Sequence, residues 1–227
     1  VEIFIDSANI VEIEKWLKMG IADGVTTNPS IMLKDSVYDM EKGTKEIAAL
    51  INPRPVSVEV TTNDLEEMIT QAQELASWAP NIIIKIPQET QEGAPCYGVM
   101  HQLESQGIKV NATVALSLGQ VILAAKAGVT YISIFAGRVT DEGGNAPEVI
   151  SNSVNWLERW KYKSKIIVGS IRSVGDILSA AIAGAHIITI PPEFLVRMAD
   201  HKYTRETVKQ FVSDAQKALD KMAEGRA

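Results

Sequence analysis

With 227 residues, 46% of them hydrophobic and 22% charged, and a net charge of −6, the sequence fits one large globular domain or two small ones and gives no electrostatic support for a nucleic-acid partner. Its only cysteine, Cys96, excludes an intrachain disulfide and suits a reducing, cytoplasmic setting. No apolar run approaches the ~18 residues of a membrane span, and the opening VEIFIDSAN is too acidic and too short in apolar length for a secretory leader, so neither a membrane nor a nucleic acid is expected as a partner.

In chain order, a β-branched run at Ile3–Asp6 leads into an amphipathic segment at Val11–Met19, and the alternation then repeats. Val25–Asn28 precedes the helix Tyr38–Leu50, Val56–Thr61 precedes Asp64–Trp78, and Ile82–Pro87 and Lys109–Val114 follow. The helix Leu118–Lys126, the strand Tyr131–Phe135, the helix Ala146–Trp160, the strand Ile166–Ser170, the helix Val174–Ala183 and the strand Ile187–Ile190 complete the pattern. Gly20, Gly107, Gly128 and Gly184 fall where helices end, a position that favours a left-handed residue. Eight apolar strands alternating with helices, without a break in composition, predict parallel pairing in a single closed (β/α)8 barrel over residues 1–203. The rival, an open doubly wound sheet, is expected to carry a glycine-rich dinucleotide loop after its first strand, and DSANIVEIE has none. A further helix, Thr204–Met222, lies in the remaining segment 204–227 with an apolar stripe at Val208, Phe211, Val212, Ala215 and Leu219. It is read either as a helix on its own barrel or as an arm on a neighbouring subunit.

Barrel strands carry catalytic groups at their C-terminal ends. In the sequence these ends are polar: Asp6 in the first, Thr26 and Asn28 in the second, Glu59 in the third, and Lys85 within IIIKIP in the fourth. Asn111 and Thr113 follow, two apart and therefore on one face, then Ser133 and Phe135 with Arg138 beyond, then Ser170 with Arg172. One buried polar side chain is commonly structural, but a polar group from strand after strand at one end implies a shared active site. Lys85 stands out, because a charged, unpaired lysine among isoleucines costs several kcal/mol.

Other chemistries lack their parts. His101, His186 and His201 have no metal-ligand spacing, Cys96 has no evident histidine partner, and neither a GxSxG elbow nor a P-loop occurs. No metal and no cofactor is therefore expected. An apolar wall disfavours an ammonium and makes a lysine amine available to a carbonyl, whereas Glu59 and Asp6 favour the charged form, so the sequence leaves the balance open. A Schiff base on Lys85 would act as an electron sink for carbon–carbon cleavage, with carboxylates and hydroxyls moving protons. Arg138, Ser170 and Arg172 suit a phosphate, so a sugar phosphate is the expected substrate.

On these residues the chain resembles the transaldolase family, in particular its short, single-barrel microbial members. GVTTNPSIM at Gly24–Met32, IIIKIP around Lys85, NATV at Asn111–Val114 and SIFAGR at Ser133–Arg138 look like that family's strand motifs and span essentially the whole barrel. The resemblance implies that Lys85 captures a ketose carbonyl and that Asp6 takes the C4 hydroxyl proton as the C3–C4 bond breaks. It implies that Glu59 and Thr113 hold a catalytic water, that Asn28, Asn111 and Ser133, with Thr26 nearby, hold the retained dihydroxyacetone unit, and that Arg138, Ser170 and Arg172 bind phosphate. It further implies the pentose phosphate pathway, with fructose 6-phosphate or sedoheptulose 7-phosphate as donor and erythrose 4-phosphate or glyceraldehyde 3-phosphate as acceptor. A homo-oligomer, pentamer or decamer, with the last helix as arm, belongs to the same implication. Two alternatives stay open: a fructose-6-phosphate aldolase that releases dihydroxyacetone, and a non-catalytic barrel that only binds sugar phosphates. In the aldolase subgroup the positions of Glu59 and Phe135 are usually glutamine and tyrosine, so this pair looks like the transferase form. The chain departs from relatives after Lys85, where IPQETQEGAPCYGVM is longer than the compact IPxTxEG pattern.

Overall fold

Isoleucine- and valine-rich strands close on themselves in the computed structural model, which describes residues 1–225. The strands are β1 (Glu2–Asp6), β2 (Gly24–Thr26), β3 (Val56–Glu59), β4 (Ile82–Pro87), β5 (Val110–Ala115), β6 (Tyr131–Phe135), β7 (Lys165–Gly169) and β8 (Ile187–Ile190). All pair in parallel in sequence order, and β8 returns to β1, giving a closed (β/α)8 barrel. The helices are α1 (Ile10–Lys18), α2 (Pro29–Lys34), α3 (Met40–Ile51), α4 (Leu65–Ser77), α5 (Tyr97–Ser105), α6 (Leu118–Ala127), α7 (Ala136–Asp141), α8 (Ala146–Arg159), α9 (Val174–Ile182), α10 (Pro192–Ala199) and α11 (Lys202–Glu224). Two units emerge, residues 1–192 and the segment from Glu193 onward.

The barrel strands have helices outside and packed side chains within, so they are buried on both faces and need no polar alternation. Ile82, Ile83, Ile84 and Ile86 are all buried, each contributing about 1.5–3 kcal/mol relative to exposure. Phe4, Ile167 and Ile187 form a core cluster, with Tyr131 packed edge-on against Phe4. The helices start where side chains satisfy free N–H groups: Asn9, Asn28, Asp39, Asp64, Ser117, Asn145 and Ser173 each accept from a first-turn amide. The four expected helix-ending glycines all have positive φ, from 73° to 92°.

Three short helices, α2, α7 and α10, were not expected, because six to eight residues are too few to display a helical period. Three strands end earlier than expected: β3 stops at Glu59 rather than Thr61, and β2 and β7 stop early for local reasons. β2 stops at Thr26 because Asn28 turns to cap α2, and β7 stops at Gly169 because Ser170 adopts φ 58°. In the second unit, α11 extends the expected helix by about a turn, and its apolar residues Val208, Phe211, Val212, Leu219 and Met222 are exposed. The end of the expected 204–227 segment, residues 226–227, lies outside the described residues. No described helix is long and apolar enough to cross a membrane.

Candidate active site

A cavity of about 570 Å³ opens at the C-terminal ends of the strands. Parallel register sets its walls, since strand partners place their last side chains next to one another. Asp6 pairs with Thr26, Glu59 with Lys85, Lys85 with Asn111, and Phe135 with Gly169. Of the residues singled out in the sequence, Asp6, Thr26, Asn28, Glu59, Lys85, Ser133, Phe135, Arg138 and Ser170 line the cavity.

Lys85 is 4% exposed, and its buried charge is not left alone. Its Nζ lies 3.2 Å from Glu59 Oε2 and donates to the Thr27 carbonyl at 3.1 Å. Thr27, unremarked in the sequence, is held by its own hydroxyl on the Ser57 carbonyl at 2.9 Å, which fixes the lysine's acceptor. A buried ion pair of this kind gains Coulomb energy but loses hydration, so its net worth is small. Its consequence is positional: the amine is held beside a proton acceptor at the cavity wall.

Across β5 and β6, Ser133 Oγ donates to Asn111 Oδ1 at 2.7 Å, and Asn111 Nδ2 donates to Ser57 Oγ at 3.3 Å. Asn111 is fully buried and off the cavity wall, so it aims Ser133, whose oxygen keeps acceptor capacity toward the cavity. Thr113 is likewise fully buried, and its Oγ1 has no hydrogen-bond partner among the described residues. That orphaned hydroxyl fits a bound water, because burying an unpaired hydroxyl is costly. β5 then bulges between Ala112 and Ala115, and Val114 takes φ 58°, a rare conformation for a β-branched residue. The bulge presents Val114 to the cavity, which alternation alone could not anticipate.

At the rim, Asn28 uses its carbonyl oxygen to cap α2 through the Ile31 amide at 2.8 Å, leaving its amide donors as the functional group. Arg138 rides on α7, whose Gly137 approaches the β7–α9 turn so closely that a Cβ there would stand 2.3 Å from the Ser170 carbonyl oxygen. Arg172 is not brought to the wall. Its guanidinium pairs with Asp141 along both nitrogens, at 2.8 and 2.5 Å, and so braces the end of α7. Besides Val114, the wall includes polar residues that the sequence did not mark as site residues, among them Lys34 and Thr189. Thr189 carries the same signal as Asp6 and Glu59, a polar residue in an apolar strand; Lys34 lies on α2, which is too short to display a helical period.

The segment after Lys85 folds into a small hairpin, with a bridge between Glu89 and Pro95. Asn63 pins it, accepting from the Gln91 amide at 2.8 Å and donating to Glu92 at 2.5 Å, which holds the Glu92 carboxyl below its usual range. Among the described residues, none from Gln88 to Cys96 lines the cavity. Burial, with the charge of Glu89, pushes the Cys96 thiol up and away from thiolate character. Burial pushes His186 down, and its Nδ1 accepts from the Ile166 amide at 3.0 Å, a structural role. Among the described residues no group of three His, Cys, Asp or Glu side chains is placed to hold a metal.

The family model described as Transaldolase/Fructose-6-phosphate aldolase matches residues 3–226. A "probable transaldolase" of Dehalococcoides mccartyi is 37% identical over 93% of this chain and 96% of its own length. One from Lactiplantibacillus plantarum is 41% identical over 93% and 94%, respectively. Among solved structures, a double variant of flavocytochrome b2 with sulfite bound superposes with a TM-score of 0.57 at 14% identity, over 85% of this chain and 57% of that one. The last likeness is of fold alone.

Proposed function

The chain belongs to the transaldolase/fructose-6-phosphate aldolase family, and from that premise we propose that it is a transaldolase acting through a Schiff base on Lys85. The observation that carries this reading is a lysine buried in an apolar strand, 3.2 Å from Glu59, at the wall of a cavity that also holds Asp6 and Arg138. The amine adds to the ketose C2 carbonyl. A water between Glu59 and the unpartnered Thr113 hydroxyl relays protons as the carbinolamine loses water. Asp6 then accepts the C4 hydroxyl proton. The C3–C4 bond breaks, its electrons pass to the iminium nitrogen, and an aldose phosphate departs. The enamine adds through C3 to the incoming aldehyde, Asp6 returns its proton to the new alkoxide, and hydrolysis frees Lys85. Ser133, oriented by Asn111, and the amide donors of Asn28 hold the dihydroxyacetone hydroxyls. Arg138 and Ser170 hold the phosphate, and Arg172 contributes there by exchanging Asp141.

The donor is a ketose phosphate such as fructose 6-phosphate or sedoheptulose 7-phosphate, and the acceptor an aldose phosphate such as erythrose 4-phosphate or glyceraldehyde 3-phosphate. These substrates are those of the pentose phosphate pathway, and the single cysteine suits a reducing cytoplasm. Transfer is tested by consumption of fructose 6-phosphate with and without erythrose 4-phosphate. We expect consumption to depend on the acceptor; equal rates without it would make the protein an aldolase instead.

Phe135 offers no proton to the enamine, whereas a tyrosine hydroxyl there would favour its protonation and release. The double variant Phe135→Tyr, Glu59→Gln is therefore expected to raise acceptor-independent dihydroxyacetone release about tenfold or more while transfer falls. Unchanged product partition would remove Phe135 from this role.

The same reading takes residues 1–203 as the catalytic barrel and 204–227 as an oligomer arm, in a pentamer or decamer. The exposed apolar stripe of α11 supports it, because one face of a helix in water gains by being covered. Ending the chain before Thr204 is expected to lower the assembly's mass in light scattering to that of a smaller species; an unchanged mass per assembly, after allowing for the removed residues, would rule the arm out.

A further inference from the structure

The eighth strand contributes a side chain to the site that no role above uses. Thr189 lines the cavity and is 5% exposed, and its Oγ1 lies 2.5 Å from Thr26 Oγ1. Thr26, itself 2% exposed, donates to Asp6 Oδ1 at 2.7 Å. The direction of this chain follows from proton counting. An ionised carboxylate can only accept, and a threonine hydroxyl has one proton to give. Thr26 gives its proton to Asp6, so the contact between the two hydroxyls requires Thr189 to donate to Thr26.

We infer that Thr189 is a positioning residue for the proton transfer at Asp6, acting through Thr26 as the far end of the hydrogen-bond chain Thr189–Thr26–Asp6. β1 lies between β2 and β8, so the two threonines reach across the strand that carries Asp6. A donor on Thr26 stops its hydroxyl from rotating away and polarises it toward the carboxylate, since successive hydrogen bonds in one chain strengthen one another. Oδ1 is thereby fixed, which orients the whole carboxylate toward the cavity. Thr189 is fixed in turn by its methyl: a Cβ on neighbouring Gly169 would stand 3.2 Å from Thr189 Cγ2, so the methyl occupies the space that the glycine leaves. Valine at position 189 would keep that shape and lose only the donor.

The inference rests on the transaldolase reading and separates its two chemical stages. Schiff-base formation with dihydroxyacetone requires Lys85 but no carbon–carbon cleavage, whereas turnover of fructose 6-phosphate requires Asp6 as well. The test uses the full chain with Thr189→Val and Thr189→Ser. Borohydride trapping with dihydroxyacetone is measured alongside kcat and KM for transfer from fructose 6-phosphate to erythrose 4-phosphate. For Thr189→Val we expect trapping within about twofold of the parent, KM likewise, and kcat lower by roughly tenfold, because a small misplacement of a proton acceptor is felt chiefly in the chemical step. Thr189→Ser, which retains the donor but not the methyl that fixes it, should restore part of kcat. Thr189→Ala should show the same step-selective loss and serves if the valine variant does not accumulate. A kcat unchanged in the valine and alanine variants, a parallel fall in trapping and turnover, or failure of serine to restore kcat overturns the assignment of Thr189 alone. A parent chain that borohydride does not trap overturns the Schiff-base reading, and this assignment with it.

Discussion

Replacing Lys85 by methionine is expected to reduce transfer by roughly 10⁴-fold or more, because it removes the buried strand amine that forms the covalent intermediate. Methionine matches the length of the lysine stem and belongs among Ile82, Ile83, Ile84 and Ile86, so the strand should hold. The cost falls on Glu59, which loses its partner at 3.2 Å. Its side chain remains 20% exposed, so it has access to water and does not become a fully buried lone charge. A folded, inactive protein is therefore the expected product, and circular dichroism with thermal melting checks the first half of that statement. The second half is checked by mass spectrometry after borohydride treatment with fructose 6-phosphate. The parent should gain mass on the peptide containing Lys85, and the variant should gain none anywhere. Activity within tenfold of the parent in a variant that folds would end the Schiff-base reading. It would return the chain to the non-catalytic alternative, or to chemistry centred elsewhere in the cavity.

Asp6→Asn is expected to lower kcat for cleavage by about 10²–10⁴-fold, the usual contribution of a positioned proton-transfer group. The asparagine carbonyl can still accept from Thr26, whose hydroxyl stands 2.7 Å from Asp6 Oδ1, so the local geometry should survive. What disappears is an oxygen basic enough to take the C4 hydroxyl proton. Lys85 and Glu59 are untouched by the change, and trapping with dihydroxyacetone should persist near the parent level. The pair of results distinguishes the two stages: Lys85→Met stops both, Asp6→Asn stops only the second. A kcat reduced less than tenfold, or trapping lost together with turnover, would show that Asp6 is not the base.

Much of this site was legible before the fold was known, because a barrel strand leaves a polar side chain few reasons to interrupt an apolar run. Asp6, Glu59, Lys85 and Ser133 were found that way, and each lines the cavity. The same reasoning gave Asn111 and Thr113 as a pair on one face. It could not show that both lie fully buried off the wall, or that a bulge would turn Val114 inward. Arg172 illustrates a different limit. Its position after the seventh strand led to the expectation of a phosphate contact, yet Asp141 reaches it from α7, an element too short to leave a period in the sequence.

Eight strand–helix units, a lysine that needs a reason to be buried and the family motifs around it can all be read from the residue order alone. These are local in origin: they depend on side-chain periodicity, on capping residues, and on the cost of a charge among isoleucines. The partners of these residues depend on barrel closure. Closing β8 onto β1 brings Thr189 to Thr26, 163 positions apart, and pairing β3 with β4 brings Glu59 to Lys85. A hydrogen bond depends on distances of a few tenths of an ångström between atoms remote in the chain, and that information exists only once parallel register is set.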